Sequence, residues 1–121
     1  MRSHPFHWVV ELLLEEPSYI EKAMFGCKGC YLYGRLVLVL AARRHRPWMG
    51  LLIPTEKKYH RSLRRDHKGL VSHPILKKWL YLAESTEEFE EAARAIVECV
   101  LANDNRIGVE PKAKIARGSG K

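Results

Sequence analysis

Between Arg43 and Lys68 the sequence places nine cationic side chains: Arg43, Arg44, Arg46, Lys57, Lys58, Arg61, Arg64, Arg65 and Lys68. Only Glu56 and Asp66 oppose them. The 121-residue chain has a formal net charge of +7, so the rest of the sequence balances and the whole excess sits in this segment. Arginine and lysine at such density suit phosphate contact, because each cation releases a counterion from a nucleic-acid backbone. Several of the cations from Lys57 to Lys68 recur at three-, four- and seven-residue steps, which a helix would gather on one face. Trp48, Tyr59, His45, His60 and His67 interleave with them and offer rings for stacking on bases. The nine cations are therefore the candidate nucleic-acid-binding residues, with an acidic protein as the other partner of the same chemistry. A solvated helix face is the ordinary use of a charge run. No helix-turn-helix, zinc-finger or RNP signature points to sequence-specific readout.

Cys27-Lys28-Gly29-Cys30 is a second candidate. A redox pair of this spacing needs a helix N-terminus to lower the thiol pKa, whereas Cys30 leads into a strand-like run. A zinc site on Cys27 and Cys30 needs about two further ligands, and neither Cys99 nor the six histidines supply a second pair at ligand spacing. Structural thiols, a zinc site and a redox pair stay open at this point. Three cysteines do not make a disulfide framework. Lys28 within the glycine-bearing stretch suggests a phosphate cradle, but the GxxxxGK[ST] spacing and a following helix are missing. His60, His67 and Asp66 have the types for acid–base work but no evident orienting partner. Six glutamates between Glu84 and Glu98 face only Arg94, and they suit the first turns of a helix better than a metal. No nucleophile with its base, carboxylate pair or cofactor fingerprint is legible, so the sequence reads as non-catalytic.

The elements that must position these residues follow from periodicity. Phe6, Val9, Val10, Leu13 and Leu14 make an apolar stripe over a helix from Pro5 to Glu16, which Pro17 ends. Ser18 and Glu21 have capping-box spacing, which allows a short helix over Tyr19–Met24. Tyr31–Tyr33, the turn Gly34-Arg35, Leu36–Ala42 and Trp48–Ile53 read as an antiparallel meander, its second strand apolar enough to be covered on both faces. Thr55 is placed to cap a helix over Glu56–Asp66, followed by a loop over His67–His73. Lys77–Leu82 reads as a strand. Ser85 and Glu88 form a capping box for a long helix from Thr86 to Ala102, with Phe89, Ile96 and Val100 on its apolar stripe.

Ala23-Met24-Phe25-Gly26 with Gly29, Tyr31 and Gly34 gives the pattern M-F-G-x-x-G-x-Y-x-x-G, after a helix and before strands. This resembles the N-terminal domain of the TfoX family, bacterial proteins linked to regulation of natural competence. The MmcQ/YjbR-like group, small α+β domains with suspected DNA binding, is the second resemblance. The likeness covers roughly 20–42. It implies an α+β domain with a small antiparallel sheet and packed helices, and no established catalysis. Met24, Phe25, Gly26, Gly29, Tyr31 and Gly34 are then structural, with Phe25 filling the core. Cys27, Cys30 and the strongly basic arm depart from the family pattern.

The expectation is one α+β domain over 1–109 with a flexible tail over 110–121. Its sheet of three to five antiparallel strands is packed by the first and last helices, with the basic helix on the surface. No run approaches the roughly 20 apolar residues of a membrane span, and no secretory signal is legible, so a cytoplasmic location without a membrane partner is expected. The functional expectation is a small regulatory or binding module touching nucleic acid or a protein. The alternatives are a metal-binding or small enzymatic domain on Cys27/Cys30 and a homo-oligomeric interaction protein, with a homodimer as its simplest form.

Overall fold

Two tight turns organise the N-terminal half of the computed structural model, which describes residues 4–110. Phe25 and Gly26 have φ of 54° and 71°, and Tyr33 and Gly34 have φ of 53° and 77°. Positive φ at both central residues marks type I′ turns, whose twist matches that of the flanking strands. The first joins β1 (Ile20–Met24) to β2 (Cys27–Leu32), and the second joins β2 to β3 (Arg35–Ala42). The short helix allowed over Tyr19–Met24 is thus a strand. Its apparent capping residues work elsewhere: Ser18 Oγ accepts the Tyr33 N–H at 3.0 Å, and Glu21 binds Tyr19, His7 and Lys28.

β4 (Met49–Ile53) follows, then a 3-10 turn over Lys57–Tyr59, α1 (His60–Asp66), β5 (Val71–Ser72), β6 (Leu80–Ala83) and α2 (Phe89–Leu101). The six strands form one open antiparallel sheet in the order β1-β2-β3-β4-β6-β5, which gives the α+β class expected. β5 falls where the sequence suggested only a loop, and two residues are too few to show a period. The N-terminal helix is a 3-10 helix over His7–Glu15, and it buries Val9, Val10 and Leu13 but leaves Leu14 exposed. The long C-terminal helix starts at Phe89 rather than Thr86. Glu88 is its N-cap in the left-handed region with no side-chain bond, so the expected capping box does not form. Past Glu110, the expected tail lies outside the described residues.

Each face of the sheet has its own core. The first packs Leu38, Leu40, Leu51, Ile53, Leu80 and Leu82 under α2 and the N-terminal 3-10 helix. The second holds Leu36, Val39, Ala41, Leu52 and Tyr81 beneath loops that carry Trp48, Leu76 and Trp79. Between Cys30 and Tyr31 the register slips so that Val37 is an extra residue of β3. Such a bulge turns two successive residues to one face, and Val37 and Leu38 both join the helix-covered core. At Gly50 the chain has φ 146°, and a Cβ there would collide with the Leu82 carbonyl oxygen, so the β4–β6 pairing requires glycine. α1 buries Leu63 completely, with half-buried Tyr59 packed beside it, and thereby holds its polar face outward. Burying one leucine stabilises by about 1.5–3 kcal/mol, a narrow anchor for a two-turn helix.

Candidate nucleic-acid interface

Leu63 faces the core, so the residues around it on α1 must face water. Lys57, His60, Arg61, Arg64 and Arg65, with Gly69 and Leu70, line one open groove. Arg64 Nε donates to the Leu70 carbonyl at 3.2 Å, which ties the helix to the strand-leading loop. His60 Nε2 donates to the Lys78 carbonyl at 2.8 Å and joins α1 to the segment before β6. Lys57, Arg61 and Arg64 have no carboxylate within 4 Å among the described residues, and Arg65 meets only exposed Asp66 at 3.3 Å. Lys58 pairs with Glu56 at 3.7 Å, and Lys68 is exposed beside Gly69. Exposed pairs of this kind are weak, so either cation can exchange its carboxylate for a phosphate at little cost.

Arg106, in the segment after α2, acts as a clamp that no local sequence pattern singles out. It grips Asp104 through two nitrogens at 3.0 and 2.7 Å, Asp66 at 2.9 Å and Ser62 at 3.1 Å. Hydrogen bonds from Arg106 hold the Asp104 carboxyl below its usual range, and that to Asp104 raises Arg106 further above its own. The segment after α2 is thereby fastened to the carboxyl end of α1.

Arg43, Arg44 and Arg46 lie apart from this groove, in the β3–β4 connection. Arg43 Nη1 donates to the Phe25 carbonyl at 3.2 Å, and its guanidinium lies 5.4 Å from the Trp48 ring centroid. Phe25 does not fill the core as expected but stands 47% exposed at the tip of the first hairpin. Its centroid is 6.2 Å from Trp48 and 6.4 Å from Trp79, with interplanar angles of 51° and 62°. Three aromatic residues far apart in sequence thus form one surface patch, which no local pattern could have disclosed.

His73 pins this patch. Its Nδ1 accepts the Ile75 and Leu76 N–H groups at 3.1 and 2.9 Å, so Nε2 carries the proton and donates to the Pro47 carbonyl at 3.1 Å. The ring sits edge-on to Trp48 and Tyr81. Burial pushes its pKa down, against the hydrogen bond to Pro47.

The other candidates do not assemble. Residues three apart on a strand face opposite ways. Cys27 accordingly enters the loop-covered core and Cys30 the helix-covered one, so the two thiols on which the alternative metal and redox readings rest do not face each other. Burial raises both thiols, Cys30 to about 11. Among the described residues no group of three or more His, Cys, Asp and Glu side chains could hold a metal ion. Lys28 belongs to β2 and pairs with Glu21 at 3.2 Å, on a strand rather than in a loop ahead of a helix. Gly29 makes room for Met24, whose Sδ would lie 2.6 Å from a Cβ there. His60 and His67 are not partners either: buried His67 points Nε2 at Cys99 Sγ, 3.5 Å away. Burial lowers the His67 pKa and raises that of Cys99, so both are neutral and the thiol is not activated. Glu84, Glu88, Glu90 and Glu91 gather with Phe6, Trp8 and Phe89 in a separate acidic groove. No ion pair among the described residues joins these glutamates to the basic segment.

Among the described residues, fold and surface define a small α+β domain that presents a basic groove and, apart from it, an acidic groove. Comparison with known protein families, curated proteins and solved structures finds no match to this chain. No helix among the described residues is long and apolar enough to cross a membrane.

Proposed function

We propose that this domain is a non-catalytic binding module whose partner is nucleic acid, held through the α1 groove. The observation that carries the reading is the convergence of Lys57, Arg61, Arg64 and Arg65 with His60 on one open groove, with the glutamates collected elsewhere. A groove lined by one sign of charge focuses its field and draws in polyanions. Groups held by backbone carbonyls, as Arg64 and His60 are, lose less freedom when a phosphate arrives. The motif from Met24 to Gly34 resembles the TfoX N-terminal domain, which suits a regulatory role. The test is an oligonucleotide titration by fluorescence anisotropy from low to physiological salt. Binding that weakens steeply with salt supports the reading, and absence of binding at low salt defeats it.

Self-association is a second reading, favoured by the separate acidic groove beside Phe89. A basic groove on one copy could dock on the acidic groove of another, a head-to-tail contact. Light scattering at low and high salt decides it: a strict monomer in both removes this reading.

A further inference from the structure

We propose that the Phe25/Trp48/Trp79 patch is a stacking platform for unpaired bases, so that the preferred ligand is single-stranded nucleic acid. This rests on the reading of the α1 groove as a nucleic-acid contact and names the form of its ligand.

Continuity is the first argument. Arg43 lies against Trp48, Trp48 against Phe25, and Phe25 against Trp79. Lys78, next to Trp79 in sequence, accepts the His60 hydrogen bond from the basic groove. The segment with exposed Lys77 and Lys78 therefore runs from the α1 groove to Trp79, around the sheet edge between the face that buries Leu63 and the face that carries Trp48 and Trp79.

Ring geometry is the second. The tilted and edge-on arrangements mean that the three rings do not consume one another's faces by parallel stacking. Arg43 and His73 wall in Trp48, which backs the platform, while Phe25 projects into solvent and offers its ring. Bases stacked on aromatic side chains beside a cationic track are the common mode of single-strand binding. In a duplex the base faces are already stacked, so a duplex can use the cations but not the rings.

The third argument is the position of Phe25 itself. The first residue of a type I′ turn favours Asn, Asp or Gly, yet a phenylalanine stands there at φ 54°. Local folding preference does not explain that choice, and a role for the exposed ring does.

The experiment measures affinity for single-stranded and duplex oligonucleotides of equal length at one salt concentration, for the wild type and the variants Phe25→Asn, Trp79→Ala and Arg61→Glu/Arg64→Glu. Melting curves confirm that each variant is folded, and Phe25→Asn suits the turn, so its folding is secure. Single strands are expected to bind about 5- to 100-fold tighter than duplex, the worth of roughly one stacked base. Phe25→Asn and Trp79→Ala should each erase most of that preference, whereas Arg61→Glu/Arg64→Glu should weaken both ligands alike. Equal affinity of the wild type for the two forms would overturn the stacking platform and leave the basic groove standing. So would single-strand affinity unchanged in Phe25→Asn and Trp79→Ala. Failure of both ligands to bind at low salt would overturn platform and groove together.

Discussion

Single residues carry more of the specification of this fold than their types suggest. Phe25 holds a left-handed backbone that costs an ordinary residue roughly 1–2 kcal/mol. Phe25→Asn should therefore keep or raise the melting temperature, because relief of that cost offsets the lost contacts with Trp48 and Trp79, and thermal denaturation measures it. A marked drop would mean that the exposed ring is chiefly structural. His73 gives a pH prediction. The unfolded chain takes up protons on His67 and His73 as pH falls through about 6.5. Burial holds both folded-state values lower, so over that interval the unfolded state binds more protons and stability falls with pH. Melting temperature should be level above about pH 7 and decline toward pH 5, less steeply in His73→Gln. That variant should also cost about 1–3 kcal/mol at neutral pH, because the Ile75 and Leu76 N–H groups and the Pro47 carbonyl lose their shared partner.

At the scale of elements, Gly50 and Arg106 join pieces that sequence separates. Gly50→Ala should destabilise by about 3 kcal/mol or more, since its Cβ strikes backbone that cannot yield without parting β4 from β6. Arg106→Met should lower stability by less than Gly50→Ala, because Asp104 and Asp66 would lose a shared cation at a partly exposed site; urea denaturation reads both effects. The meander over β2–β4 and the long last helix were legible, because the continuous apolar run Leu36–Ala42, the turn at Gly34 and the Phe89/Ile96/Val100 stripe report directly on burial. β1 was not, since Ser18 and Glu21 are spaced as a helix cap yet serve the hairpin and a cluster with Tyr19, His7 and Lys28. Residues at i and i+3 look alike in 3-10 and α helices, so the form of the first helix was also hidden. The cationic side of α1 could be read from spacing around Leu63. The aromatic patch could not, because Phe25, Trp48 and Trp79 meet only after the sheet has formed.

Across the whole molecule the two signs of charge are sorted rather than mixed. Acids on α2 sit with Phe6 and Trp8, while the cations of α1 keep a groove of their own. This sorting makes salt dependence the property closest to the central claim. The decisive measurement is the slope of log affinity against log salt for an oligonucleotide, in the wild type and in Arg61→Glu/Arg64→Glu. Four groove cations predict a wild-type slope of about −3, and losing two contacts should flatten it by about 1.5. An affinity indifferent to salt, or a slope the same in both proteins, would contradict the assignment of nucleic-acid contact to the α1 groove.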